Sequence, residues 1–249
     1  MQLAISPEDF THLEPFLPKG MAGGASRPPV ERAAGYLARL VLSHRVTPGQ
    51  KVPMDDIALH IGASRTPVRE ALRLLETEGL VAALPNRGFV LRRLDAADVA
   101  HLYDARRCIE LFVAKQALER RTEGFLGELG TLHRIYEHVL RGPGDSRRLG
   151  MLVDKAFHVR IARQAGNPHL TASLSNMFDR LILTRPIEDF PLDRMREAVA
   201  EHAEMLARFE SGTLGELEAA LMRNIDNGGA AIVAHMRSHS DFGIAARTQ

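Results

Sequence analysis

The clearest pattern of apolar and polar positions lies in residues 64–81. Its apolar members recur at the spacing i, i+3, i+4, i+7, typical of one face of an α-helix: Val68, Ala71, Leu72 and Leu75. Ser64 or Thr66 can cap the start and Gly79 offers a stop, so a helix is predicted between them. A shorter helical pattern at residues 55–61 precedes it across a tight turn. Together the two segments predict a helix-turn-helix.

A second face of the longer helix is basic. Arg65, Arg69 and Arg73 are spaced four apart, so their guanidinium groups stack along one side. Such a face is available to the major groove of DNA, but an ordinary solvated helix also carries arginines at this spacing. The helix alone leaves both interpretations open.

Two short apolar runs follow, at residues 80–83 and 89–91, and predict two β-strands. The segment between them, Leu84-Pro-Asn-Arg-Gly88, is rich in turn residues, so we expect a β-hairpin. A hairpin beside a helix-turn-helix makes a winged helix, and this favours the DNA-binding interpretation. Asn86, Arg87 and Gly88 at the tip suit contacts with the DNA backbone or minor groove.

Beyond residue 94 the apolar spacing predicts helices and no convincing strand. The first is capped by Asp95 with Asp98 and runs to about Leu118, with an inward face of Val99, Leu102, Ala105, Ile109 and Phe112. Five more are expected at about 123–141, 146–165, 167–184, 193–211 and 213–238. The predicted fold class is mainly α: an N-terminal winged helix-turn-helix with a small β-hairpin wing, and a C-terminal all-α bundle of about six helices.

The length of 249 residues accommodates two domains of ordinary size. We place the winged helix at 27–93 and the bundle at 94–240, with 1–26 as a mobile or loosely docked extension and 241–249 as a tail. No apolar run is long enough to cross a membrane, and the N-terminus lacks a signal-peptide pattern. A single cysteine, Cys108, fits a reducing compartment, so a cytoplasmic protein is expected.

The net charge of +1 conceals an asymmetry between the two domains. Residues 27–93 carry eleven Lys and Arg against six Asp and Glu, whereas acidic side chains slightly outnumber basic ones in the bundle. The N-terminal domain is therefore the one suited to phosphates. Its charge excess is modest, and a dimer would double the phosphate contacts.

Within the bundle, one helical segment brings together side chains that can bind a metal. Asp154 and His158 are one helical turn apart, within reach of one ion. His202 lies on a later helix, and sites in bundles take ligands from facing helices. An Asp/His pair at this spacing is also common on helix surfaces without a metal.

Residues 27–93 resemble the N-terminal domain of the GntR family of bacterial transcription regulators. The resemblance is carried by S-R-T-P-V-R-E-A-L-R-x-L-E-x-E-G-L-V followed by P-N-R-G, a recognition-helix pattern and a wing at a fixed distance. Asp55 departs from it, since some members have a basic residue there. The resemblance implies binding to double-stranded operator DNA through Ser64, Arg65, Thr66, Arg69, Arg73, Asn86, Arg87 and Gly88.

Residues from about 95 to 238 resemble the FCD effector domain of the FadR/VanR-type branch. D-x-x-F-H followed by A-x-x-x-G-N-P-x-L, and later E-H-x-x-I/L-x-A-x-x-x-G, carry this resemblance. It implies a divalent metal such as Zn²⁺, Ni²⁺ or Mn²⁺, with Asp154, His158 and His202 as ligands. The fourth ligand is usually His, and this chain has Asn224. Three alternatives follow: a weaker site, a harder ion such as Mn²⁺, or no metal.

Arg106 lies in a pattern where the family carries an arginine, and FCD effectors are commonly small carboxylates. An effector contact is therefore expected, the alternative being an ion pair with Glu110 at i, i+4. The resulting prediction is a homodimeric, ligand-responsive regulator, by default a repressor, with no enzymatic activity. The alternatives are a metal-dependent hydrolase or isomerase with an appended DNA-binding domain, for which Glu201 is the candidate base, and a purely metal-responsive regulator.

Overall fold

The computed structural model describes residues 6–18, 20–21, 26–142, 147–186 and 191–245, with side chains as far as residue 238. The helices and strands within them are α1 (Pro7–Leu13), α2 (Pro29–Leu42), α3 (Met54–Ile61), α4 (Arg65–Thr77), β1 (Val81–Leu84), β2 (Gly88–Leu91), α5 (Ala96–Glu119), α6 (Glu123–Arg141), α7 (Arg147–Gln164), α8 (Pro168–Leu183), α9 (Leu192–Ser211) and α10 (Leu214–Ala245). A short 3-10 helix, Glu14–Phe16, follows α1.

Helices α2 to α4 and the β1–β2 hairpin form the predicted winged helix. The amphipathic face of α4 is buried as the spacing required, with Val68, Ala71, Leu72 and Leu75 inside. The strands pair antiparallel, with Val81 opposite Leu91. β1 begins and ends one residue later than predicted, and β2 begins one residue earlier, because Leu84 and Gly88 still pair across the turn.

Helices α5 to α10 form the all-α bundle, so the fold class is confirmed. The capping box of Asp95 and Asp98 is present at the start of α5. The predicted inward face of α5 is wrong in its second half, since Phe112 is 54% exposed. Arg106 and Glu110 are buried there instead. The apolar spacing did not predict the burial of these two positions, because they carry the charged partners of an ion pair.

The two units share part of one core. Leu152 from α7 and Ile182 and Leu183 from the end of α8 pack within the apolar core of the winged helix. The backbone N–H of Leu94 donates to the carbonyl of Thr184 at 3.0 Å, which fastens the connection after the wing to the end of α8. The winged helix therefore packs against α7 and α8, in addition to its covalent connection to the bundle.

Where the structure describes it, the N-terminal segment packs against the bundle. Leu13 and Phe16 are buried in the bundle core. The guanidinium of Arg163 lies 4.2 Å from the centre of the Phe16 ring and donates to the carbonyl of Pro15 at 2.6 Å. The pattern could not show this because the segment is too short for a helical period to be recognised.

The same segment continues onto the winged helix. Leu17 and Met21 pack against its core. Gly20 has a positive φ of 75°, and its carbonyl lies directly against Gly35 of α2. We call the described residues 6–18 and 20–21 the N-terminal strap, because they contact both units.

The C-terminal end also differs from expectation. The sequence pattern predicts that the last helix ends near residue 238, but α10 continues to Ala245. The predicted tail therefore begins in helix, and residues 246–249 lie outside the described part. Along the described helices, no stretch combines the length and apolar character needed to cross a membrane.

We expect Gly35→Ala to destabilise the protein by about 1–3 kcal/mol, since a methyl group there overlaps the carbonyl oxygen of Gly20. The matched control is Gly127→Ala in α6, where an added Cβ meets nothing within 4 Å. That change should stabilise by about 0.5–1 kcal/mol through helix propensity. Urea unfolding measures both, and a Gly35→Ala variant as stable as wild type would show that the strap does not pack as described.

Candidate nucleic-acid interface and candidate metal centre

The turn between α3 and α4 presents the first turn of α4 to solvent. α3 ends at Ile61, and its C-cap residue Gly62 has a positive φ of 62° that other residues rarely adopt. Ser64 follows in the extended N-cap position, although its side chain makes no capping hydrogen bond. Arg65 and Thr66 are exposed immediately after it.

The wing tip lies beside this turn. Asn86 adopts a left-handed conformation with φ 57°, and the N–H of Arg87 closes the turn by donating to the carbonyl of Leu84 at 3.0 Å. The chain before α3 runs along the other edge of β2, where the N–H of Val52 donates to the carbonyl of Phe89 at 2.9 Å. This pairing brings Lys51 next to the tip.

The start of α4, the wing tip and Lys51 surround an open groove of about 880 Å³. The structure brings six of the eight predicted contact residues together here: Arg65, Thr66, Arg69, Asn86, Arg87 and Gly88. Lys51 is an addition that sequence reasoning missed. Lys51 lies in the loop before α3. This loop pairs with the wing only in the folded chain, so the sequence pattern did not place Lys51 at the wing tip. The four cationic side chains outnumber the carboxylates of Asp55 and Asp56, which also line the groove, so the groove suits a polyanion.

Ser64 and Arg73 do not line this groove. The guanidinium of Arg73 lies 5.3 Å from the centre of the Phe89 ring, and its Nη1 donates to Glu76 at 2.8 Å. Glu76 also accepts from the backbone N–H of Ala83 at 2.9 Å. Arg73 thus joins α4 to the wing and supports the geometry of the groove.

Asp55 forms a two-pronged ion pair with Arg65 on the wall of the groove. Both side chains are exposed, and the hydrogen bond from Arg65 lowers the pKa of Asp55. Asp55, the residue that departs from the family pattern, is therefore paired with Arg65, one of the predicted DNA contacts. The carboxylate offsets the charge of the guanidinium at the start of α4.

In the bundle, the predicted ligands Asp154, His158 and His202 converge from α7 and α9. Nε2 of His202 lies 3.3 Å from Oδ1 of Asp154 and 3.3 Å from Nε2 of His158. The remaining separation, from His158 Nε2 to Asp154 Oδ1, is 4.0 Å. Both histidines are almost completely buried, and the Asp154 side chain is 23% exposed. This burial rules out the alternative of a surface pair.

Neighbouring side chains orient the rings of His158 and His202. Nδ1 of His158 lies 2.5 Å from Oε2 of Glu110, whose other oxygen accepts from Arg106 Nε at 2.6 Å. The ring of His202 stacks on Phe157 with the centres 4.1 Å apart. A carboxylate on Nδ1 is the usual partner of a metal-binding histidine, because it leaves the Nε2 lone pair for the ion. The sequence pattern indicates Glu110 only as a partner of Arg106.

The electrostatics of the cluster favour a cation. Burial lowers the pKa of His202 to about 4, so its ring is neutral at pH 7. Burial alone would raise the pKa of Asp154, but the hydrogen bond from His202 and nearby positive charges hold it well below its usual range. A carboxylate and two imidazole nitrogens at these separations fit an ion with ligand bonds of about 2.0–2.2 Å. The residues present therefore fit a divalent metal.

A cavity of about 60 Å³ opens beside the cluster. Asp154 and Asn224 line it together with Arg106, Arg185 and Arg194. Since a water molecule needs about 10–15 Å³ by this measure, the space admits several waters or a ligand of few atoms. Arg106 pairs with Glu110, and its side chain also lines the cavity.

Glu201, the candidate base of the hydrolase alternative, has both oxygens occupied. Oε2 accepts from Asn224 Nδ2 at 2.7 Å, and Oε1 accepts from Asn227 Nδ2 at 2.9 Å. Arg194 forms an ion pair with the same carboxylate. A carboxylate bonded in this way is poorly placed to take a proton from water.

Sequence comparisons agree with this arrangement. The family model of the FCD domain matches residues 101–227, and that of bacterial regulatory proteins, gntR family, matches residues 29–91. The Nta operon transcriptional regulator of Aminobacter aminovorans is 28% identical over 149 residues, 60% of this chain and 70% of that protein. A probable D-xylose utilization operon transcriptional repressor of Paenarthrobacter nicotinovorans is 25% identical over 219 residues, 86% of this chain and 91% of that protein.

Among solved structures, Escherichia coli McbR/YncC superposes with a TM-score of 0.71 at 19% identity. The match covers 83% of this chain and 97% of that one. At this identity the likeness concerns the fold, and it extends over both the winged helix and the bundle.

We expect Glu110→Ala to cost about 3–5 kcal/mol of stability, because Arg106 would remain buried without its partner. The matched control is the double variant Arg106→Met/Glu110→Met, which removes both charges and should lose much less. Urea unfolding at pH 7 compares the two. If Glu110→Ala loses under 1 kcal/mol, the buried pair does not support the cluster.

Proposed function

Because this chain belongs to the gntR family of bacterial regulatory proteins and carries an FCD domain, we propose that it is a homodimeric repressor that releases its operator when a small organic acid binds in the bundle. The chain is a DNA-binding transcriptional regulator, and its relatives are regulators rather than enzymes. The observation that carries the proposal is the groove between α4 and the wing. It gathers Lys51, Arg65, Arg69 and Arg87 on one exposed surface.

For DNA recognition, the first turn of α4 enters the major groove with Arg65, Thr66 and Arg69 near base edges or phosphates. The wing tip contacts the backbone or the minor groove through Asn86 and Arg87. Two copies related by a two-fold axis would each contact one half of a palindromic operator. The modest positive charge of one winged helix supports a dimer, since two domains double the number of phosphate contacts.

For effector recognition, the acid occupies the cavity beside Asp154, His158 and His202. A divalent metal held by these three residues would act as a Lewis acid for its carboxylate, and Zn²⁺, Ni²⁺ and Mn²⁺ all suit such a ligand set. Arg106 supplies a second point of attachment for the anion. The small cavity favours acids of few atoms over long-chain acids.

Helix α7 is the proposed link between the two sites. It carries Asp154 and His158 into the bundle and Leu152 into the core of the winged helix. Lys155 on the same helix forms a buried ion pair with Asp179 of α8 at 2.6 Å. A ligand that binds one position of α7 more tightly than another would shift the winged helix with it.

We expect Arg69→Ala to weaken operator binding about 10- to 100-fold, which is the loss of about 1–3 kcal/mol for a base-contacting arginine. The operator is first obtained by selection from a random DNA library, and affinity is then measured by fluorescence anisotropy at one fixed salt concentration. Arg196→Ala on α9, an exposed arginine paired with Asp193, is the control and should bind normally. Unchanged affinity of Arg69→Ala would refute the placement of α4.

We expect near-stoichiometric metal in protein purified without chelators and little metal in His158→Ala, since a site of three protein ligands would lose one. Elemental mass spectrometry measures the content per chain. His169→Ala, an exposed histidine at the start of α8, is the matched control and should keep its metal. Equal metal content in His158→Ala and wild type would place the ion elsewhere.

A further inference from the structure

Among the four cationic side chains of the groove, Arg65 alone pairs with a carboxylate in the part of the chain that the structure describes. Its Nε and Nη2 donate to Oδ1 and Oδ2 of Asp55 on α3. The side chains of Lys51, Arg69 and Arg87 form no such pair with a described residue. One of the charges that face DNA is therefore offset within the protein, while the others remain available to the polyanion.

The pairing with Asp55 leaves one edge of the Arg65 guanidinium available. An arginine side chain carries five N–H groups, and Asp55 accepts from one on Nε and one on Nη2. The remaining N–H groups, on Nη1 and Nη2, form the end of the fork, which fits two neighbouring acceptors such as O6 and N7 of guanine. The Arg65 side chain is 70% exposed and that of Asp55 is 67% exposed, so DNA in the groove can approach the pair.

Asp55 also brings a negative charge of its own into the groove. A DNA phosphate that approaches Arg65 meets this charge, so the attraction between the guanidinium and the DNA backbone is weakened. A base edge carries no net charge, so it does not meet the same repulsion and still finds two donors. Asp55 therefore disfavours a phosphate contact more than a base contact at the same arginine.

We propose that Asp55 is a specificity-determining residue, which weakens the contact of Arg65 with phosphates and so reserves this arginine for a base edge of the operator. This inference rests on the proposed function, which places the first turn of α4 in the major groove. Phosphate contacts bind every sequence alike, whereas base contacts carry the sequence information. A residue that weakens only the phosphate contact raises the ratio of operator affinity to non-specific affinity.

Asp56 provides a matched control for this role. It is the next residue of α3, it is exposed, and it lines the same groove without an ion pair to a described side chain. Replacing either aspartate by asparagine removes one negative charge from the first turn of α3, so the net charge and the interaction with the helix dipole change alike. Only Asp55→Asn releases Arg65.

The test compares wild type, Asp55→Asn and Asp56→Asn on two DNA duplexes of equal length, the selected operator and a shuffled sequence. Fluorescence anisotropy measures affinity over a series of salt concentrations, and thermal unfolding establishes that each variant is folded. Asp55→Asn should bind the shuffled duplex about two- to fivefold more tightly, the range expected when an exposed ion pair is lost. Its operator affinity should rise by a smaller factor, so the ratio of the two affinities should fall about twofold or more.

The salt dependence provides a second readout. For Asp55→Asn on the shuffled duplex, the slope of the logarithm of affinity against the logarithm of salt concentration should steepen by about one, since one further phosphate is contacted. Asp56→Asn should tighten binding to both duplexes by the same factor and leave their ratio unchanged.

A double variant tests whether Asp55 acts through Arg65. In the Arg65→Ala background, Asp55→Asn should leave the affinity ratio unchanged, because the guanidinium that it would release is absent. A fall in the ratio as large as that in the wild-type background would overturn the proposal, since it would arise from the charge of Asp55 alone.

The other outcomes also decide the question. An unchanged ratio in Asp55→Asn, or an equal fall in Asp56→Asn, would overturn the proposal. So would weaker operator binding by Asp55→Asn with unchanged binding to the shuffled duplex, which would indicate that the carboxylate itself contacts a base. If Arg65→Ala binds the operator as tightly as wild type, the placement of α4 in the proposed function fails, and the inference fails with it. If Arg65→Ala weakens operator binding and Asp55→Asn keeps the wild-type ratio, the inference alone fails.

Discussion

The burial of helix α7 on nearly every side is the constraint on which the rest of the structure depends. Twelve of its eighteen residues are buried, so each face of the helix must match a different neighbour. One face carries Asp154 and His158 to the candidate metal centre, a second places Leu152 in the winged-helix core, and a third directs Lys155 to Asp179. Because a close-packed interior transmits displacement, α7 cannot move at one site without disturbing the others.

A chain of buried charges supports this helix from the α5 side. Glu110 lies between Arg106 and His158: one carboxylate oxygen accepts from Arg106 Nε, and the other lies 2.5 Å from His158 Nδ1. The guanidinium of Arg106 also lies 4.2 Å from the centre of the Phe178 ring. Such a network is costly if it is incomplete, so it holds the rings in one orientation. The same side chains then present a carboxylate and two imidazole nitrogens to one point.

Local features of the chain were predictable from the sequence pattern, whereas contacts between distant segments were not. The recognition helix α4 and the capping box of α5 were predicted because every residue involved lies within a few positions of the others. The docking of Phe16 under Arg163 and the exposure of Phe112 were not, since both depend on which distant surface is available. Periodicity assigns a face to a helix, but it assigns apolar residues to the core by default and so misses a buried ion pair.

By itself, the sequence determined the order of the elements, the winged helix, the basic face of α4 and the residue types able to bind a metal, because each is encoded in local spacing. Only the tertiary structure decided which of those side chains meet. It placed Lys51 in the groove, Arg73 against the wing and Glu110 behind His158, and it directed the amide of Asn224 to Glu201. These outcomes follow from packing between segments far apart in the chain, where small differences in position decide which hydrogen bond forms.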